Sequence, residues 1–216
     1  MIRYRRPVDL LAAIAAERRG IADLVESLSP EQLDTPSLCG DWTVRDVAGH
    51  LLAAVDAPAV GLFSLFLRSG LRLHRANARL AVLTARRPAA DLADRLRAQA
   101  ENPFRPPIVG HPGQLTDLQV HGQDMRRPLG LPHHLRPERL RVSLDFLAGG
   151  RAVGFTPKRR LRGLRFTATD LDWAWGTGPG VTGAAEAVMM AMTGRAVALD
   201  DLDGPGVPVL RDRLRP

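Results

Sequence analysis

The sequence predicts a mainly α protein, with a bundle of four or five helices over residues 1–155 followed by a small α+β region over residues 160–216. Apolar residues recur at helical spacing through most of the first region, whereas strand-like alternation begins only after residue 160. Composition is ordinary for a globular protein, and a chain of 216 residues is long enough to bury a substantial core.

Residues typical of helix starts and helix breaks define the predicted helices of the bundle. Helices are predicted over residues 7–28, 43–56, 58–86, 89–101, 113–127 and 136–148. Ser29 before Pro30, and Thr43 before an apolar stripe, have the form of N-terminal caps. The 58–86 pattern is interrupted near Ser69–Gly70, and prolines at 103, 106, 107 and 112 predict a loop.

In the C-terminal region, the spacing of apolar residues changes from a helical to a strand-like period. Leu164, Phe166 and Ala168 alternate with polar residues, and Trp173 and Trp175 alternate again, which predicts a β-hairpin. Gly176–Gly180 is predicted to be a loop, and residues 183–192 a helix with Gly194 at its C-terminal cap.

The net charge of +7 is almost entirely arginine, since Lys158 is the only lysine. With heavy alanine and leucine use, this composition indicates a GC-rich genome, as in actinobacteria. The densest basic stretch, residues 158–165, lacks interleaved aromatic residues, and we interpret it as a solvated linker. No nucleic-acid partner is therefore expected.

Cellular context is inferred from cysteine use and hydropathy. Cys39 is the single cysteine, which excludes an internal disulfide and suits a reducing compartment. No apolar run approaches the roughly 20 residues that span a bilayer, and the N-terminal run lacks a cleavage-type sequence. We expect a cytoplasmic monomer or homodimer with no membrane partner.

Three residues form a candidate metal site. Asp117 and His121 are four apart on one predicted helix and so share a face, and His50 on the 43–56 helix is the best third ligand. Three protein ligands with an open position are typical of catalytic sites. The alternatives are an ordinary helical ion pair and a packed histidine. Asp46 and Asp124 are candidate acceptors for imidazole N–H groups, or exposed helix charges.

The remaining residues carry weaker signals. His74, His111, His133 and His134 are interpreted as loop or polar-face residues, and Cys39 as an incidental thiol rather than a nucleophile. The sequence contains no phosphate-binding loop, CxxC pair or nucleophile elbow.

Two longer motifs carry a resemblance. Residues 35–51, which include Gly40–Asp41–Trp42 and His50, are similar to the first signature of the mycothiol-dependent maleylpyruvate isomerase family. Residues 117–130 resemble its second signature, and Thr167–Trp173 with Gly194–Arg195 its C-terminal region. The family belongs to a DinB-like group, whose four-helix bundle binds a divalent metal through three side chains.

The resemblance implies a site and a chemistry. His50, Asp117 and His121 would hold the metal, commonly zinc, although the family usually has glutamate at position 117. Mycothiol would be the thiol cofactor of an isomerase or S-transferase that acts on a small carboxylate or electrophile. In the isomerase reaction, the thiolate adds to a cis double bond, and rotation and elimination give the trans product. Arg126, Arg127 and Arg195 are candidates for binding substrate carboxylates. The alternative is a non-catalytic metal- or ligand-binding protein.

Overall fold

The computed structural model describes residues 8–56, 73–132 and 135–215. The α-helices before the sheet are α1 (Leu10–Ser27), α2 (Pro30–Leu33), α3 (Val44–Asp56), α4 (Leu73–Ala85), α5 (Ala89–Ala98), α6 (Gly110–Arg126), α7 (Pro137–Ala148) and α8 (Lys158–Leu161). The rest of the chain forms β1 (Arg165–Ala168), β2 (Ala174–Gly176), β3 (Gly180–Gly183), α9 (Ala185–Met192), β4 (Leu202–Asp203) and α10 (Gly206–Leu214). The predicted mainly α fold class is confirmed.

The chain divides into two compact units, which we call the bundle unit and the sheet unit. Among the described residues, the bundle unit comprises 11–56, 73–104 and 121–132, and the sheet unit comprises 8–10, 105–120 and 135–215. Helix α6 contributes residues to both. The predicted domains 1–155 and 160–216 stay a prediction. Within the described ranges, no helix is both long and apolar enough to cross a membrane.

Both predicted caps in the bundle unit are present. At α2, the Ser29 hydroxyl accepts a hydrogen bond from the Gln32 backbone N–H, and the Gln32 side chain accepts one from the Ser29 backbone. At α3, the Asp46 N–H donates to Thr43 Oγ1 (3.2 Å), while the Asp46 carboxylate accepts from the Thr43 N–H (3.0 Å). Each pair satisfies backbone donors that a helix start leaves without partners.

Helices α3 and α4 approach closely at Gly49. A Cβ added to Gly49 would lie 2.5 Å from the Ala81 backbone oxygen and 2.7 Å from the Ala85 backbone nitrogen. Only glycine opposite two alanines permits this backbone separation, since a Cβ does not fit at such distances. The small residue therefore sets the position of α3 at the turn that carries His50.

A buried arginine joins α1 to the end of α5. Arg18 is 1% exposed, and its Nη1 donates to the backbone oxygens of Gln99, Ala100 and Asn102 at 2.8 to 2.9 Å. Desolvation lowers the pKa of the Arg18 guanidinium, and the Glu101 charge opposes this. The carbonyl groups at a helix C-terminus lack intrahelical partners, so a cation placed there satisfies them.

The sheet unit contains a four-stranded sheet in the order β2-β1-β3-β4. Strands β1 and β2 form the predicted antiparallel hairpin, in which Phe166 pairs with Trp175. Strand β3 runs parallel to β1, with Val181 opposite Phe166, and β4 pairs antiparallel with β3. Helix α9, whose residues are almost all buried, packs against β1 and α7.

Several predicted boundaries were wrong. Pro112 lies in the first turn of α6 rather than in a loop, because a first-turn residue needs no N–H donor. The basic stretch is not a linker, since α8 and the start of β1 lie within it. Gly180 begins β3, although its glycine-rich surroundings indicated a loop. The Ser69–Gly70 break, residues 58–72 of the third predicted helix, and the loop at His133–His134 lie outside the described residues.

Candidate metal centre

The first half of the candidate site is the loop before α3. Val44 N donates to Thr35 O (2.9 Å), Ser37 N donates to Trp42 O (2.8 Å), and Pro36 and Thr43 form an isolated antiparallel bridge. These bonds close residues 35–43 into a compact loop. Helix α3 follows directly and places half-buried His50 two turns after its start.

The second half of the site lies on α6, a helix with many buried polar side chains. Leu118 and Met125 are buried as predicted, but Gln119, Gln123 and Asp124 are buried as well. His121 is 8% exposed. A buried polar group needs a partner to offset its desolvation, so this composition indicates a polar site rather than a simple apolar core.

The two sequence motifs meet at their histidine rings. The ring centroids of His50 and His121 are 5.0 Å apart in a T-shaped arrangement. The Trp42 ring lies 5.2 Å from the His50 ring and 6.5 Å from the His121 ring. Trp42 therefore forms an aromatic wall beside both imidazoles. The sequence interpretation assigned no role to Trp42, although it lies within the motif of residues 35–51.

His121 is the shared member of the candidate ligand set. One of its ring nitrogens lies within 4.8 Å of a ring nitrogen of His50, and within 4.8 Å of a carboxylate oxygen of Asp117 one helical turn earlier. The spacing along α6 brings Asp117 and His121 together as predicted, and Asp117 is half-buried. Two imidazoles and a carboxylate are a common donor set for zinc.

The Asp124 side chain is hydrogen-bonded to the His121 ring. Its Oδ2 lies 2.9 Å from His121 Nδ1, and the Asp124 residue is fully buried. Because a carboxylate only accepts hydrogen bonds, this contact favours the proton on Nδ1 and leaves the Nε2 lone pair for another partner. Hydrogen bonds of this kind orient metal-binding histidines. The sequence left two interpretations of Asp124 open, an imidazole acceptor and an exposed helix charge, and its burial disfavours the second.

Asp46 has a different environment from Asp124. Its carboxylate accepts hydrogen bonds from both the backbone N–H and the hydroxyl of Thr43, at 3.0 and 2.8 Å. These bonds account for Asp46 as part of the N-terminal cap of α3. Its predicted role beside an imidazole stays a prediction that this contact does not support.

The three candidate arginines have unequal environments. Arg126 is 8% exposed, and its guanidinium donates to the backbone oxygens of Gly20 (3.1 Å) and Gly122 (3.4 Å). Burial lowers the pKa of this guanidinium, and the nearby Glu17 charge opposes the shift. Arg127 and Arg195 are half-buried, and Arg195 donates to Thr193 O. A substrate-binding role for each stays a prediction, and Arg126 has the least exposed surface to offer.

Of the other histidines, the structure describes only the side chain of His111, and it is not among the grouped potential ligands. His111 is in the first turn of α6, so the loop predicted for it was wrong. The His74 side chain lies outside the described residues, as do His133 and His134.

The fold and these side chains define a class of protein, namely a helical bundle with a two-histidine, one-carboxylate candidate metal centre. Residues 14–105 match the family model described as "Mycothiol maleylpyruvate isomerase N-terminal domain". Over this segment, the match confirms the resemblance recognised from the sequence, and the mainly α DinB-like fold agrees with it. The match includes Trp42 and His50 and ends before α6, so Asp117 and His121 lie beyond it. Neither the curated proteins nor the solved structures include a significant match.

Proposed function

We propose that this chain is a metal-dependent enzyme that uses a small thiol, mycothiol, in an isomerase or S-transferase reaction on a small carboxylate or electrophile. The proximity of the ring nitrogens of His50 and His121 carries this proposal, since each histidine lies in a different motif. The family match supports the thiol and the isomerase class.

The residues fit a divalent ion, zinc being the ion we expect. In a tetrahedral site with bonds of about 2.0–2.3 Å, neighbouring ligand atoms are about 3.4 Å apart. The candidate ligand atoms of His50, Asp117 and His121 already lie within 4.8 Å of one another. Small side-chain rotations would close the remaining distance. Asp117 has one methylene fewer than the family's glutamate, so it needs the larger adjustment.

The chain's own residues would prepare this site in distinct ways. Asp124 holds the His121 ring through Nδ1, which keeps Nε2 available as a ligand atom. Trp42 contributes an apolar ring surface beside the two imidazoles. When bound, a divalent ion would lower the pKa of a thiol ligand so that the nucleophilic thiolate forms at neutral pH.

The proposed isomerisation conserves the thiol. The thiolate adds to one carbon of the substrate's cis double bond, and the electron pair moves toward the substrate carbonyl. Rotation about the new single bond and elimination of the thiolate restore the double bond in the trans form. Arg127 and Arg195 are the candidates for binding substrate carboxylates, because a guanidinium binds carboxylate in a bidentate manner.

Metal content and thiol-dependent turnover test the proposal together. We expect about one zinc per wild-type chain by elemental mass spectrometry, and loss of it in His50→Ala and His121→Ala. The matched control is His111→Ala, which removes a histidine from the first turn of α6 and should retain the metal. Isomerisation of maleylpyruvate should require both the metal and mycothiol. A wild-type protein that binds no zinc, nickel or manganese after reconstitution would contradict the proposal.

Asp117 favours a second candidate function. Its shorter side chain is the feature by which this chain departs from the family pattern, and it is compatible with a bundle that binds metal or ligand without turnover. A metal-loaded protein with no affinity for mycothiol would favour this non-catalytic function. Any turnover that depends on the thiol would exclude it.

A further inference from the structure

A second group of potential metal ligands lies beside His121. Cys39, His121 and Asp124 each offer one ligand atom, and the three atoms lie within 4.8 Å of one another. All three residues belong to the bundle unit. Cys39 is half-buried, whereas His121 and Asp124 are buried.

Backbone hydrogen bonds hold Cys39 in this position. The preceding residue, Leu38, donates its N–H to the Asp124 backbone oxygen (3.1 Å). Cys39 N donates to Ser37 Oγ (3.1 Å), and Cys39 O accepts from Trp42 N (3.2 Å). The Leu38 bond therefore joins the loop to α6, and the two Cys39 bonds order the backbone that carries the thiol, so less backbone entropy is lost when an ion binds.

The chemistry of the three donors favours a thiophilic cation. Thiolate, imidazole and carboxylate all bind zinc, and a thiolate adds preference for softer ions such as Cd²⁺. On binding, the thiol proton would pass to solvent and the sulfur would form the metal bond. Neither the family match nor the proposed function assigns a role to Cys39.

We propose that Cys39, His121 and Asp124 form a second, thiolate-containing cation site that competes with His50 and Asp117 for His121. The competition follows from the imidazole, because a neutral ring has one nitrogen lone pair for one metal. An ion bound by Cys39 would therefore withdraw His121 from the first ligand set. This inference shares His121 with the proposed function but depends on a different ligand.

The test uses Cd²⁺ as the probe and ultraviolet absorption as the readout. Cys39 is the only cysteine in the chain, so any sulfur-to-cadmium charge-transfer band comes from it. His50→Ala and Asp117→Asn each weaken the competing ligand set, and both variants should show the band with one Cd²⁺ per chain. The band should be lost when Cys39→Ser is added to either. Adding Asp124→Asn should weaken Cd²⁺ binding by about tenfold or more.

Two results would overturn the second site. One is the absence of the band in both His50→Ala and Asp117→Asn at saturating Cd²⁺, while circular dichroism shows each to be folded. The other is unchanged Cd²⁺ affinity after Asp124→Asn, which would mean that Asp124 takes no part in the site. Zinc binding by the single variant Cys39→Ser tests the proposed function separately. If Cys39→Ser still binds zinc, and this binding is lost when His50→Ala is added, the proposed function is upheld whatever the cadmium result.

Discussion

The backbone N–H of Leu38 donates a hydrogen bond to the backbone oxygen of Asp124 at a distance of 3.1 Å. This bond joins the loop of the first sequence motif to the helix of the second. It lies next to Cys39 on the loop, and Asp124 in turn contacts His121. The candidate site thus depends on a main-chain contact that no side-chain pattern reveals.

Asp124→Asn should lower metal affinity by about 10- to 100-fold, because the amide cannot match the carboxylate as acceptor for His121 Nδ1. Competition with a chelator of known zinc affinity measures the change. The control is Asp94→Asn, which alters an exposed carboxylate that lies 3.7 Å from Arg97. Equal zinc affinity in wild type and Asp124→Asn would show that the Asp124 contact does not support the site.

Asp117→Glu should raise zinc affinity, because the longer side chain reaches toward the His121 nitrogen with less rearrangement. Isothermal titration with zinc measures the affinity, and Asp117→Asn, which removes the negative charge, should lower it. Weaker zinc binding by Asp117→Glu than by wild type would show that the site is built around the shorter residue.

Gly49→Ala should destabilise the fold by about 1–3 kcal/mol, because its Cβ would overlap the backbone of Ala81 and Ala85 on α4. Urea unfolding followed by circular dichroism gives the free energy of unfolding. The matched control is Gly20→Ala in α1, where an added Cβ meets nothing within 4 Å. There we expect a stabilisation of about 0.5–1 kcal/mol from helix propensity. Equal effects at the two glycines would contradict the close crossing of α3 and α4.

Arg18→Ala should lower the free energy of unfolding by about 3–5 kcal/mol, because it leaves three carbonyl groups at the end of α5 without their donor and opens a buried space. The neighbouring Arg19 forms an exposed ion pair with Glu101. For Arg19→Ala we expect a loss of at most about 1 kcal/mol. Thermal and urea unfolding of the two variants side by side would distinguish these roles, and similar losses would contradict the assigned role of Arg18.

Helices with strong local signals were predictable. The Ser29 and Thr43 caps, and the strand period around Phe166, depend on residues close in sequence, so the pattern alone was informative. The start of α6 and the strand β3 were missed for a shared reason. Proline and glycine have opposite meanings in different tertiary settings: Pro112 is compatible with a first helical turn, and Gly180 becomes a strand residue because it pairs with Arg165.

The sequence by itself determined the proximity of Asp117 and His121, since four residues make about one turn of a helix. The sequence also offered His50 as the best third ligand, and the family resemblance then implied that role for it. Only the tertiary structure decided that Trp42 lies beside both histidines, that Asp124 is buried against His121, and that Arg126 is occupied by backbone carbonyls. These arrangements depend on how α3, the 35–43 loop and α6 pack, and such long-range contacts follow from shape and burial rather than from spacing along the chain.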